Sequence, residues 1–219
     1  MPHGSISWVI STYLSSPLLL QPGNRKFDVR VWALLDAHYN VLVWKHGVLR
    51  TCSVEFTLDR ASLGNEFVHL SNHCVQQNSG SFGKHESRTN EMWFKNFDKS
   101  LNGRTTVEGT YAPQWRRIIF EVLEAARESI EVEDGPFRSF MVFGFDFMID
   151  APDDKVWLIE VNSSPAIADE LADDFAADLK KVAVDAHLDQ TPIAEAVKGT
   201  DFVHVTGAGF GVKEAGLDV

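Results

Sequence analysis

Within VWLIEVNSSP, from Val156 to Pro165, Glu160 and Asn162 set a carboxylate and an amide either side of one valine, in a run otherwise apolar enough for a protein interior. Strand side chains alternate, so Glu160 and Asn162 share one face while Ile159 and Val161 share the other. Upstream, GFDFM carries Asp146 in an equally apolar run. Setting Asp146 opposite Glu160 leaves 151–155 as the loop of an antiparallel hairpin and puts both carboxylates on one face. A slip of one residue would part them. Carboxylates about 5 Å apart on a sheet of Phe, Met, Val and Ile repel unless a cation lies between them. Hard oxygen ligands without His or Cys point to magnesium, which takes one or two carboxylates together with the phosphates of a nucleotide. Asn162 adds a neutral oxygen on the same face. An isolated Glu-x-Asn would read as an exposed strand end entering a turn. The facing Asp146 and a helix cap directly after favour the metal.

The strand RKFDVRVWALL holds a second constellation. Phe27, Val29, Val31 and Ala33 point one way, and Lys26, Asp28 and Arg30 the other. Lys26 offers a point charge for a phosphate, and Arg30 a planar fork suited to a carboxylate or acyl phosphate. Asp28 between them would orient either one or sit near a nucleotide. The alternative is a solvated face of weak ion pairs. Arg50, in GVLRT, reads by itself as a surface residue. A third group, His69, Ser71 and Asn72 in HLSNHC, reads by itself as a polar loop. It lacks both metal-ligand spacing and a nucleophile motif. The phosphate-binding pattern G-x-x-x-x-G-K-[ST] is also missing, which excludes a P-loop site.

These side chains need elements to hold them. PLLLQ, RKFDVRVWALL and VLVWKHGVLRTCS, separated by PGN and DAHYN, predict an antiparallel meander over 17–53. Residues 57–110 are weakly patterned, and HLSNHCVQQNSGSFGKHESRTN reads as a long loop. Trp115, Ile118, Ile119, Val122, Leu123, Ala126 and Ile130 predict a helix over about 113–131. A hairpin over FMVFGFDFMID and VWLIEVN follows. Ser164 and Pro165 then read as cap and first residue of a last helix, with Ile167, Leu171, Leu179 and Val182 facing inward. From Gln190 on, the Gly-rich sequence predicts a loose tail.

At 219 residues and 44% hydrophobic, the chain can bury a real core. No run reaches the roughly 20 apolar residues of a membrane span, and the start is unlike a signal peptide, so a cytoplasmic location is the expectation. Cys52 and Cys74 fit a reduced compartment. A net charge of -11 argues against nucleic acid as a partner, although Arg25, Lys26, Arg30, Lys45 and Arg50 cluster early, while 121–134 and 169–178 carry much of the acid.

In order along the chain, RKFDVRVWALLD, GVLRTCS, HLSNHC and GFDFMID followed by VWLIEVNSSPA closely resemble the tubulin–tyrosine ligase family, over about Trp8 to Val184. The resemblance implies an α+β, ATP-grasp-like antiparallel sheet with flanking helices. The family's amino-terminal domain, and the lysine-bearing glycine loop that covers the ATP phosphates, have no counterpart in 1–219. The expected organisation is therefore a carboxy-terminal catalytic portion over 1–189 and a tail over 190–219. The implied activity is ATP-dependent joining of a free amino acid to a tubulin tail through an acyl phosphate, with a setting near the cytoskeleton. Tyrosine is preferred because HLSNHC and VLRTCS look most like that branch. Glutamate or glycine is the alternative, as is a non-catalytic tubulin- or nucleotide-binding module. Residue by residue, the resemblance makes Asp146, Glu160 and Asn162 magnesium ligands, Lys26 a phosphate contact and Asp28 a nucleotide-site acid. Tyr13 and Leu14, in VISTYL, match the hinge beside adenine, and Ile159 an adenine-packing residue. His69, Ser71 and Asn72 match the loop lining nucleotide and acceptor, and Arg30 and Arg50 hold the acceptor or acyl phosphate. Ser11 and Thr12 stand where relatives have Gln-Lys.

Overall fold

The computed structural model describes residues 10–210 apart from 86, 102, 104 and 131–138. Trp8 at the start of the resemblance, Val9 of the expected hinge, residues 131–134 of the first acidic segment and 211–219 of the tail lie outside the described residues. The chain runs through β1 (Leu19–Leu20), β2 (Arg25–Leu35), β3 (Val41–Glu55), α1 (Glu66–His69), α2 (His73–Gln76), β4 (Glu91–Trp93) and α3 (Phe94–Ser100). A π-helical turn, Val107–Tyr111, leads into α4 (Ala112–Ala126), and the hairpin β5 (Met141–Asp150) and β6 (Lys155–Asn162) follows. Then come α5 (Asp169–Leu179), a second π-helical turn (Lys180–Asp185), α6 (Ala186–Leu188), α7 (Ile193–Ala196) and β7 (Phe202–Val205). No described helix is long and apolar enough to cross a membrane.

The predicted meander forms, and all described strands pair antiparallel in the order β4-β3-β2-β5-β6, with β1 also on β2 and β7 also on β3. Alternation along β2 divides the sheet into two faces. Phe27, Val29, Val31 and Ala33 enter a core closed by Phe97, Trp115, Ile119 and Leu123 of α3 and α4 with Phe145 and Phe147 of β5. The other face is not wholly charged, as the sequence suggested. Beyond Arg30, Trp32 and Leu34 join Leu42, Trp44 and Val48 in a second core, covered by Phe175, Val182 and Phe202. Lys26, Asp28 and Arg30 therefore occupy the half of this face that the carboxy-terminal helices leave uncovered.

Three further expectations change. Within 57–110, α1, α2, β4 and α3 replace a continuous loop, because Asn65 and Asn72 cap two short helices, accepting from Phe67 N and Cys74 N. The last helix begins at Asp169 with Ala168 at its cap, not at Ser164 and Pro165. Residues 163–168 run as a strap across the sheet, pinned where Trp32 Nε1 donates to Ala166 O at 3.1 Å. Ile167, Leu171 and Leu179 nevertheless pack on the second core, where Val182 is buried. The tail is not loose through 205, since β7 pairs with β3 and buries Phe202 and Val205. FVHV is too short a stretch to announce itself as a strand; its partner on β3 makes it one.

Candidate active site

The hairpin register brings the first constellation together. Asp146 pairs with Glu160, and Gly144 with Asn162, as the sequence required. Phe147 then pairs with Leu158, so Ile159 is the extra residue of a β-bulge and the turn shortens to 151–154. Ile159 consequently leaves the alternation it was expected to share with Val161 and stands 53% exposed. The Asn162 amide lies between the carboxylates, its Nδ2 at 3.3 Å from Asp146 Oδ2 and 3.2 Å from Glu160 Oε1.

Two neighbouring strands supply the cations. Arg30 pairs with Asp146 across β2 and β5, and Asp28 with Arg50 across β2 and β3. Arg30 forks onto Asp146, with Nε on Oδ1 and Nη2 donating to Oδ2 at 2.9 Å. Arg50 is not a surface residue. It bridges two buried carboxylates, donating from Nε to Asp28 Oδ2 at 2.9 Å while its Nη2 reaches Asp146 Oδ2 at 2.8 Å. Burial alone would raise the Asp146 carboxyl pKa, but the Arg30 hydrogen bond and the Arg50 and Arg30 charges outweigh it and hold the group below its ordinary value. Burial pulls the Arg50 guanidinium down, and the Asp28 and Asp146 carboxylates more than reverse that. Asp28 Oδ1 is buried with no hydrogen-bond partner among the described residues, an acceptor placed to receive a donor.

Lys26 closes the row. Its Nζ donates to His69 O at 2.6 Å and to Tyr13 Oη at 3.4 Å, and it lies 4.9 Å from the Tyr13 ring centroid. Tyr13 Oη meets His69 Nδ1 at 2.8 Å, and His69 Nε2 lies 3.1 Å from Ser62 O. Tyr13, His69 and Lys26 thus form one cluster, and Leu14, next to Tyr13 in the chain, is half-buried. Burial lowers the Lys26 ammonium pKa, against the opposing effects of Cys52 and Asp28. The Cys52 thiol is pushed up to about 12, chiefly by burial, which keeps it neutral and unreactive.

Ser71 and Asn72 do not join this row. The Asn72 side chain caps α2, and among the described residues no hydrogen bond ties either one to the carboxylates or guanidiniums. The residue after them does approach, with His73 Nδ1 at 3.9 Å from Glu91 Oε1. Glu91 pairs with Arg50 and so faces the same side, a carboxylate that sequence reasoning passed over. Its three-residue strand carries no period long enough to fix a register. In NEMWF, the one available signal is Met92 beside it, which enters the first core.

Among the described residues no three His, Cys, Asp or Glu side chains converge as a metal site; the oxygen set of Asp146, Glu160 and Asn162 is nonetheless of the kind a hard divalent cation takes. Glu160 is exposed and among the described residues its one hydrogen bond is from Asn162, so its charge is available, and the Asn162 amide already lies where a half-turn would present its oxygen. Four carboxylates (Asp28, Glu91, Asp146, Glu160) stand against three cations (Lys26, Arg30, Arg50), so the face is close to balanced with a slight acidic excess that a divalent cation would offset.

The chain is similar to known proteins over most of its length. A family model described as the tubulin-tyrosine ligase family matches residues 2–197. Among curated relatives from Tetrahymena thermophila, tubulin glycylase 3B is 32% identical over 81% of this chain and 15% of its own length. Tubulin glycylase 3C is 30% identical over 84% of the chain and 18% of its own. The probable alpha-tubulin polyglutamylase Ttll1 is 31% identical over 74% of the chain and 38% of its own. The chain therefore spans well under half the length of these relatives. With four motifs, the paired carboxylates and the antiparallel sheet all in place, the chain belongs to the tubulin-tyrosine ligase family.

Proposed function

We propose that this chain carries the phosphate-handling face of an ATP-dependent ligase that joins an amino acid to a tubulin tail. The observation that carries the reading is the convergence of Asp146, Glu160 and Asn162 on one face beside the Lys26, Arg30 and Arg50 cations. In the reaction, a carboxylate oxygen attacks the terminal phosphorus of ATP, and the bond to ADP breaks to leave an acyl phosphate. The amine nitrogen of the second substrate then attacks the acyl carbon. The carbon–oxygen bond to phosphate breaks, and the amine proton passes to solvent.

Asp146, Glu160 and Asn162 would hold magnesium, which when bound offsets negative charge on the phosphates. Arg30 and Lys26 meet charge on the transferring oxygens, Arg30 with a fork and Lys26 as a point charge drawn from its seat on His69 O. Arg50 braces Asp28 and Asp146, and its fork suits an acceptor carboxylate. The unpartnered Asp28 Oδ1 suits a hydroxyl donor of the nucleotide. Tyr13, Leu14 and the exposed Ile159 suit the faces of a base, and His69, Ser71 and Asn72 line the approach from α1 and α2. Glycine and glutamate are the amino acids supported by the relatives' names. Tyrosine rests on HLSNHC and VLRTCS. The tubulin substrate implies work in the cytoplasm beside microtubules.

The test is incubation of 1–219 with tubulin, ATP, magnesium and each of labelled glycine, glutamate and tyrosine. ATP-dependent incorporation of one of them is expected. Tubulin binding without incorporation would instead support a non-catalytic module. Failure to bind magnesium–ATP would contradict the reading.

A further inference from the structure

Gly144 stands on the rung between Trp32 of β2 and Asn162 of β6, on the face of the charged row, yet carries no side chain. Two neighbours occupy the space. A Cβ placed on Gly144 would lie 2.6 Å from Pro165 Cβ, 3.1 Å from Arg30 Cδ and 3.2 Å from Arg30 Nε. Carbon atoms in ordinary contact are about 3.5–4.0 Å apart, so the Pro165 approach is too close, and the two tight Arg30 approaches would make its side chain give by a few tenths of an ångström. The Arg30 stem leans over Gly144 before its fork meets Asp146. Above the same point, the strap brings Pro165 down, held there by the Trp32–Ala166 hydrogen bond. Gly144 lies inside a regular strand, so alanine there tests space and not backbone strain.

We propose that Gly144 is a positioning residue for the ligation step: its missing side chain seats Arg30 flat against the sheet, with the fork on Asp146 and the stem confined beside Pro165. The part played in ligation rests on the function proposed above; the seating of Arg30 does not. A wedge of one methyl group would lift the guanidinium while leaving every charged residue present. The expected signature is therefore a loss of orientation without a loss of charge.

The test is Gly144→Ala in the 1–219 chain, read first by the Arg30 Nε–H resonance in NMR, assigned by its disappearance in Arg30→Lys. In the unaltered chain this proton is expected to exchange slowly, because it is held on Asp146. In Gly144→Ala it should shift and exchange fast while the Arg50 Nε–H stays put and the melting temperature falls by only a few degrees. In the ligation assay, kcat should fall by roughly tenfold to a hundredfold, the cost of a misplaced catalytic group, with KM for ATP unchanged. Gly144→Ala should add no further loss to Arg30→Lys. Should Gly144→Ala melt far lower, Gly144→Ala with Pro165→Gly removes the tightest contact. Recovery of melting with the Arg30 proton still displaced supports the proposal. An unchanged Arg30 proton in Gly144→Ala, or its full return with Pro165→Gly, overturns it. An inactive unaltered chain would count against the ligase reading and leave the Arg30 proton to decide the role of Gly144.

Discussion

Arg50→Ala is expected to lower stability at neutral pH by about 3–5 kcal/mol, the cost of stripping one partner from a buried ion pair. Arg50 stands between Asp28 and Asp146, whose side chains are 7% and 2% exposed. Without it, Asp28 loses its guanidinium partner among the described residues and Asp146 is left with Arg30 alone. The sign with pH follows. The Asp146 carboxyl is held below its ordinary value, so its ionised form contributes stability above the normal carboxylate range, and the contribution is lost as pH falls through the lowered value. Removing Arg50 removes much of that contribution, so the deficit should be large at pH 7 and shrink on acidification as the carboxylates protonate. Urea unfolding at both pH values measures this. Arg50→Lys should fall between, since lysine restores charge but not the fork that spans two carboxylates. Equal urea midpoints for Arg50→Ala and the unaltered chain would show that the bridge carries no stability.

Glu160→Gln is expected to do the reverse, sparing the fold and removing the ligand. Glu160 is exposed and among the described residues has a single hydrogen bond, from Asn162, so stability should stay within about 0.5 kcal/mol. Affinity for a magnesium–ATP analogue should fall by at least about 100-fold, beyond the tenfold to hundredfold lost on removing a group that stands behind a metal ligand. Calorimetric titration with a non-hydrolysable analogue checks this. With magnesium chelated, the two proteins should bind the nucleotide alike. A uniform loss with and without magnesium would assign Glu160 to the nucleotide and not to the ion.

The strands that carry the site were legible because alternation is a strong local signal. In β2, every second residue is apolar from Phe27 to Ala33, and in the hairpin a single register places Asp146 against Glu160. The bulge at Ile159 was not legible, since Leu158 and Ile159 are both apolar and neither is marked as the extra residue. Arg50 looked like surface because its burial comes from Asp28, 22 positions earlier, and Asp146, far later in the chain. Ser164-Pro165 looked like a cap because local chemistry favours one, whereas packing against Gly144 and the bond from Trp32 keep that segment extended. At Arg50 and at Ser164-Pro165, a contact distant in sequence decided against a local preference.

The central claim is that one divalent ion, carrying a nucleotide, sits among Asp146, Glu160 and Asn162. Manganese in place of magnesium, added with a non-hydrolysable ATP analogue to isotope-labelled 1–219, tests it most directly, because the paramagnetic ion broadens nearby NMR signals. The expected result is selective loss of the Asn162 side-chain amide and of the backbone signals of Asp146 and Glu160, abolished by Glu160→Gln. Persistence of those signals at saturating manganese and nucleotide, or broadening centred elsewhere on the sheet, would contradict the account.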